Sequence, residues 1–291
     1  MQIWNEEHWF PYSYNSIYDF ADEIVILEGC HTPWNQNSSL HSTDKTTDIL
    51  KDLLVKDTQK KTNATVLNGI SQDTHKLRVE TIVKNMMLMR TSIQTGDWIF
   101  IVDADEVYKK SDLKRLKKFL KTTKADDLEM TEYQFVYNFN TYLDASHHRL
   151  FRYFPGSCFA AVNNLAYAHG VNYRDNSEVI PKEICKIYHY PYMKTPQEIW
   201  TKINSFNRNA TLYPDRLKWF KEIYVPFTFK EKEKYYKKVE QITGSYGFAW
   251  EGGSILKEFT GIHPEAMKKH PYKNIDWSKE VKNMKFMESE K

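Results

Sequence analysis

Asp103, Asp105 and Glu106 set three carboxylates at the end of an apolar run, Trp98-Ile99-Phe100-Ile101-Val102. An uninterrupted β-branched and aromatic run predicts a strand covered on both faces of an α/β sheet. Acids at its carboxyl edge lie where open sheets of this kind take their ligands. Side chains alternate along an extended strand, so Asp103 and Asp105 share one side and can address one hard cation, with Ala104 keeping the gap between them small. Carboxylate oxygens suit Mg²⁺ or Mn²⁺ rather than Zn²⁺. The competing reading is a solvated turn or a helix cap, and Ser111-Asp112 offers a cap of its own.

The elements that must position these acids are legible as an alternation. A short apolar opening at Ile3-Trp4 precedes an amphipathic stretch from Phe10 to Phe20, and a compact strand over Asp22 to Glu28 follows, ended by Gly29. Strand, helix, strand in that order predicts a crossover and a parallel pair. Ser42 or Thr43 can cap a helix running to about Val55, and Ala64 to Leu67 reads as a short strand. A helix from about Asp73 to Thr95, stopped by Gly96, leads into the acid-bearing strand. This pattern through residue 108 is that of a nucleotide-binding α/β half.

Beyond residue 108 the chain reads differently, as a basic amphipathic helix over Leu113–Leu120 and aromatic strands over Leu128–Tyr142. Further strands are expected at Arg149–Phe154 and Ile184–Tyr190, and helices over Pro196–Asn209 and Lys230–Thr243, before a loop-like tail from Gly261. The expected division is residues 1–108 as a nucleotide-binding half, 109–229 as the acceptor half of the same domain, and 230–291 as a C-terminal helix and tail.

Composition narrows the partners. The 41 basic and 38 acidic residues leave a formal charge of +3, which gives no global drive toward nucleic acid or membrane. Lysine runs near residues 109–121 and 230–238 are spaced as solvated helix faces, and a peripheral contact with an anionic surface is the lesser alternative. Three cysteines without metal-type spacing, an opening without a signal peptide, and no apolar run near the ~18 residues of a membrane span predict a reducing, cytoplasmic setting.

Taken in order, Asn5-Glu6, Asp22-Glu23, Glu28, Ser42-Thr43-Asp44-Lys45-Thr46, and Gly96-Asp97-Trp98 leading into Asp103-Ala104-Asp105-Glu106 resemble the glycosyltransferases of family two, over roughly residues 2–108. The resemblance implies an α/β fold of GT-A type, a Rossmann-like, mostly parallel mixed sheet flanked by helices. It also implies transfer of a hexose from a UDP- or GDP-linked sugar to a glycan or other hydroxyl acceptor, by a single inverting displacement. On this mapping Trp4, Asn5, Glu6 and Glu28 lie near the nucleoside, Asp103 touches ribose or metal, and Asp105 holds the Mn²⁺ or Mg²⁺ that bridges the two phosphates. Lys76 or Arg78 adds a positive contact to those phosphates. His189, after a late strand, completes the metal shell in the pattern resembled, against the alternative of a satisfied core histidine.

The departures are a clipped first strand, a longer loop between Glu28 and Ser42, and His169-Gly170 where relatives show His-Glu. An inverting transferase needs a base, for which Asp175 and Glu178 are candidates and Asp144 a third, each also readable as a solvated acid. His147-His148, His263 and His270 are expected as surface histidines. Two rival functions stand beside transfer. A sugar-phosphate nucleotidyltransferase would bring a glycine-rich phosphate loop, which Asn5-Glu6-Glu7-His8 does not supply, and a carbohydrate-binding module has no need of acids at a strand end.

Overall fold

The computed structural model describes residues 1–29, 39–66, 76–161, 164–165, 173–205, 218–243, 247–248 and 254–283. The architecture is mixed α/β. In chain order β1 (Gln2–Ile3), α1 (Phe10–Ile17), β2 (Ile24–Glu28), α2 (Thr46–Lys56) and β3 (Thr62–Val66) build a three-stranded sheet in the order β1-β2-β3. Both pairings are parallel, with Ile3 opposite Glu28 and Glu28 opposite Val66, as a strand alternating with helices requires. α1 forms because Phe10, Tyr14 and Ile17 recur at helical spacing and bury one face, with a proline in its first turn where no N–H is missed.

Then come α3 (Lys76–Leu88), β4 (Trp98–Phe100), β5 (Glu106–Val107), α4 (Lys110–Phe119), β6 (Asp127–Val136) and β7 (Thr141–Arg152). After them follow β8 (Phe159–Ala161), β9 (Asn164–Leu165), β10 (Ser177–Val179), β11 (Ile187–Tyr192), α5 (Pro196–Ser205) and β12 (Lys257–Glu258). A seven-stranded sheet runs β12-β7-β6-β11-β5, with β10 on β6 and β4 on β7. The β4–β7, β11–β5 and β12–β7 pairings are antiparallel and β10–β6 is parallel, so this sheet is mixed while the pairings of β1 to β3 are all parallel.

The chain divides into two compact units that interleave along the sequence. The first comprises Met1–Glu132, Ser146–His189 and His263–Lys268, the second Tyr133–Ala145, Tyr190–Ile262 and Lys269–Lys291. The first unit packs an aliphatic core in which Ile3, Ile26, Leu113, Leu116, Leu128, Leu150 and Ile187 are all buried. Each such side chain contributes about 1.5–3 kcal/mol on burial. In the second unit the core is aromatic. Tyr137 stacks on Tyr224 at 4.7 Å between ring centres and donates its hydroxyl hydrogen bond to the Tyr224 carbonyl at 2.6 Å.

Several local expectations are corrected. The strand expected over 98–102 spans only Trp98–Phe100 and is half-buried along its length, because it pairs with β7 and ends before the acids. Neither Ser42 nor Thr43 caps α2. Ser42 accepts the Asn5 N–H instead, and Asp44 Oδ1 takes the Thr46 N–H at 2.9 Å. α3 ends at Leu88, well before Gly96. That glycine has a left-handed φ of 92° and turns the chain so that its N–H meets the Tyr153 carbonyl. The tail holds a short 3₁₀ turn at Glu265–Lys269.

Asp57, just past α2, fastens three elements at one point: Oδ1 accepts from the Tyr18 hydroxyl at 2.6 Å and Oδ2 from the Thr62 N–H at 2.7 Å. Burial works against its charge, yet these hydrogen bonds outweigh it and hold the carboxyl at about 2 instead of 3.8. A depressed carboxylate stabilises fully above its ordinary value, and that contribution fades as pH falls from 3.8 toward 2. Asp57→Asn is expected to cost about 1–3 kcal/mol in denaturant unfolding at pH 7. The gap from wild type should close as the same titration is repeated toward pH 2.

Candidate metal centre

The acids after β4 do not continue the strand. Glu106 N–H donates to the Asp103 carbonyl at 3.2 Å, and Asp103 N–H donates to Glu106 Oε2 at 3.2 Å, so residues 103–106 close into a turn. Two serines of α1 pin that turn. Ser13 Oγ donates to the Asp103 carbonyl, and Ser16 Oγ accepts from Tyr108 N–H. A turn brings together residues three apart, whereas an extended strand aligns residues two apart. Glu106 is therefore the acid that folds back toward Asp103.

His189 on β11 lies opposite Glu106 in the antiparallel register. One donor atom each from Asp103, Glu106 and His189 falls within 4.8 Å of the others, the one such group of three found among the described residues. Asp105, the other carboxylate expected at a metal, instead faces His189 Nε2 at 3.2 Å. On the opposite edge of the ring, His189 Nδ1 lies 3.3 Å from Glu132 Oε2, and Glu132 on β6 is fully buried. Burial alone would strip the His189 proton, but Glu132 and Asp105 outweigh it and raise its pKa well above the ordinary 6.5.

Arg149 on β7 holds the acids in place. Its Nη2 donates to Asp103 Oδ2 at 2.7 Å and to Glu106 Oε1, and the side chain is almost wholly buried. Its Nε and Nη1 are buried without a hydrogen-bond partner among the described residues. Glu106 is pushed up to about 7 by burial, against the pull of Arg149 and with a further push from Asp103. With all four ionised, Asp103, Asp105, Glu106 and Glu132 outnumber the two cationic groups among them, Arg149 and His189.

The donors decide whether a divalent cation fits. Two carboxylates and a neutral imidazole are a donor set that Mn²⁺ accepts readily and Mg²⁺ less so, and binding would displace the proton that Glu132 and Asp105 hold on His189. The residues fit.

The nucleoside residues expected from the sequence gather at the ends of β1 and β2. Asn5 adopts a left-handed φ of 52°, its N–H donates to Ser42 Oγ, and its Oδ1 accepts the Thr43 N–H at 2.8 Å. Glu6 N–H donates to Thr46 Oγ1 at 2.7 Å, and its carbonyl receives Trp9 and Phe10 at the start of α1. Glu28 is fully buried, with Oε1 accepting the Ser42 N–H at 2.7 Å and Oε2 3.3 Å from His41 Nδ1. Trp4 is half-buried, and its Nε1 is enclosed without a partner among the described residues. Lys76 and Arg78 lie on α3, with side chains outside the described residues; His169 is outside them altogether.

Among the candidate bases, Asp175 sits exposed on a 3₁₀ turn and Glu178 exposed on β10, where it accepts from the Thr123 hydroxyl at 2.7 Å. Asp144, in the second unit, is paired with Lys257. The surface assignment fails for His270 and is met in part by His147 and His148, each about a third exposed. His147 Nδ1 lies 3.2 Å from Glu132 Oε2 and His148 Nδ1 2.8 Å from Asp127 Oδ2, so each leans on a buried carboxylate. His270 is buried and accepts the Tyr272 N–H. Sequence reasoning missed the roles of Arg149, Glu132 and His147; the available signal was their two-residue alternation within strands otherwise aromatic or aliphatic.

No family model and no curated protein matches the chain. Among solved structures, the crystal structure of S. aureus TarS 1-349 aligns with 83% of this chain and 78% of that chain at 15% identity and a TM-score of 0.37. A likeness at that level carries no functional reading.

Removing Arg149 would leave the fully buried Glu106 without its cation, beside the half-exposed Asp103. Arg149→Met is expected to destabilise by about 3–5 kcal/mol in chemical unfolding. Adding Glu106→Gln should recover part of that loss, so that the double-mutant cycle shows a coupling of about 1 kcal/mol or more.

Proposed function

We propose that the chain is a metal-dependent glycosyltransferase of GT-A type that moves a hexose from a uridine or guanosine diphosphate sugar to a hydroxyl acceptor with inversion. The single observation that carries the reading is the convergence of one donor atom each from Asp103, Glu106 and His189 within 4.8 Å of one another. Asp103 and Glu106 would hold Mn²⁺ or Mg²⁺, and His189 in its neutral form would join them through Nε2 in exchange for its contact with Asp105, with Glu132 orienting the ring through Nδ1. When bound, the cation supplies neutralising charge to the diphosphate as it leaves.

The remaining roles belong to the chain. Arg149 keeps Asp103 and Glu106 at one point, so that the ligands need not reorganise on binding. The junction of Asn5, Glu6 and Glu28 with residues 42–46 fixes the ends of β1 and β2, where the nucleoside is expected, and the partnerless Trp4 Nε1 is a donor suited to a base or ribose oxygen. Lys76 and Arg78 are proposed to meet the phosphates. A nucleotide-sugar seated there would leave its anomeric carbon open to an acceptor oxygen.

The test is thermal unfolding with UDP-glucose, UDP-N-acetylglucosamine or GDP-mannose, each with and without Mn²⁺. A ligand held only by the folded chain raises the midpoint, by an amount equivalent to about 2.7 kcal/mol when present at a hundredfold its dissociation constant. One donor is expected to raise the midpoint only when Mn²⁺ is present, with the rise abolished in Asp103→Ala, in Glu106→Gln and in chelator. Equal shifts with and without the ion would end the metal-dependent reading.

A further inference from the structure

The lysines around residues 109–121 read from the sequence as a solvated helix face, but α4 sets them apart from the other lysine run. At about 100° per residue, Lys110, Lys114, Lys117, Lys118 and Lys121 fall within one arc of about 100°. All five are exposed, while Leu113 and Leu116 on the far side are buried in the core of the first unit. The row they form is about 16 Å long. No acid of the helix shares that arc. Asp112, the acid of its first turn, is buried on the other side and pairs with Arg115 at 2.7 Å.

Such a row works against its own helix. Lys110 with Lys114, Lys114 with Lys118, and Lys117 with Lys121 are like-charge pairs at four-residue spacing, and Lys110 stands in the first turn, where the helix dipole disfavours a cation. Two exposed acids from the segment after α1 answer part of this charge. Asp19 takes Lys110 at 2.6 Å and also feels the charge of Lys114, and Asp22 lies 3.7 Å from Lys117. The ammonium groups of Lys114, Lys118 and Lys121 have no hydrogen bond or ion pair among the described residues. The helix at Lys232–Thr243 shows the contrasting arrangement. There Glu233 and Glu240 are interspersed with the lysines, Lys234 pairs with Glu231 at 3.3 Å, and Lys238 pairs with Glu222 at 2.7 Å. That face is balanced by acids close at hand, and the outer face of α4 is not.

We propose that the outer face of α4 binds the surface of an anionic bilayer, with Lys114, Lys118 and Lys121 meeting the phosphates and carboxylates of its headgroups. A straight row on one side of a helix meets a flat surface along its whole length, and mobile anionic lipids gather beneath it. Their charge relieves the repulsion that the helix leaves unbalanced. Lysine suits that partner, because a point charge on a flexible stem asks no fixed geometry of the group it meets. A nucleic-acid face would add arginine forks or aromatic rings to the row, and the arc holds neither. No helix among the described residues is long and apolar enough to cross a membrane, so the contact is with the surface. α4 follows β5, the strand that carries Glu106, and the contact therefore brings the unit that holds the candidate metal centre to the bilayer.

The experiment measures cosedimentation of the full chain with phosphatidylcholine vesicles, with and without about 30% phosphatidylserine, alongside the unfolding midpoint. Neither donor nor metal is needed, so the outcome is independent of the transferase reading. Binding is expected only with the anionic lipid, and it should fall away as salt is raised to about 0.5 M. Each lysine near such a surface is worth about fivefold, so replacing Lys114→Gln, Lys118→Gln and Lys121→Gln together should weaken binding about 100-fold while the midpoint is kept or raised. A matched removal of charge from the other helix, by Lys232→Gln, Lys234→Gln and Lys237→Gln, should leave binding within about twofold of wild type. Equal losses in the two triple variants would overturn the assignment, since net charge and not α4 would then drive binding. So would the absence of wild-type binding to the anionic vesicles, or binding of duplex RNA through the same three lysines at a salt concentration that releases the vesicles.

Discussion

Burial of Arg149 between Asp103 and Glu106 is the constraint on which the candidate site depends. A guanidinium removed from water costs several kcal/mol unless carboxylates meet it, and the same holds for the carboxylates. Each therefore fixes the other, and through hydrogen bonds to Ser13, Ser16 and Tyr108 the fixing extends to α1 and to the turn at 103–106. One guanidinium nitrogen, Nη2, reaches both acids. Replacing the whole set by packed apolar side chains would cost the fold little and could stabilise it, so its retention is better explained by what the acids do than by the stability they confer.

The parallel part of the fold was legible because its physics is local. Phe10, Tyr14 and Ile17 repeat at helical spacing, Ile24 to Leu27 is an apolar run ended by Glu28, and strand, helix, strand can close only as a parallel pair. The acids at 103–106 were legible as a cluster. Their geometry was not, since strand alternation favours Asp103 with Asp105, while a turn that depends on Ser13 and Ser16, about ninety residues away in sequence, brings Glu106 to Asp103 instead. Arg149 and Glu132 were hidden for a related reason. In β6 and β7 aromatic and aliphatic residues dominate the pattern, and a single charge inside such a strand reads as an outward-facing residue until the partner that buries it is known. The histidines at 147 and 148 carry the same lesson, because exposure of part of a ring says nothing about the nitrogen on its other edge.

The two cores differ in kind, and the difference bears on what each unit can do. The first is aliphatic around the strands that carry the cluster, and branched side chains in staggered rotamers leave little freedom for β5, β6 and β11 to shift. The second is built from rings such as Trp219, Phe220, Tyr224 and Phe227, in stacked and edge-on pairs. Rings bury large areas with few rotatable bonds and keep a polar handle, as the Tyr137 hydroxyl and the Trp219 indole show by reaching backbone carbonyls. The candidate metal cluster lies wholly within the first unit.

A row of side chains laid across neighbouring strands has a property that a loop-borne site lacks. Successive strands stand about 4.8 Å apart, so residues on one face meet at hydrogen-bonding distance without any of them having to reach. In this chain the spacing puts an acid between two histidines and a histidine between two acids, and every member is held from both sides except the last. Charge placed at one end is therefore felt at the other through three contacts of about 3.2 Å rather than through water.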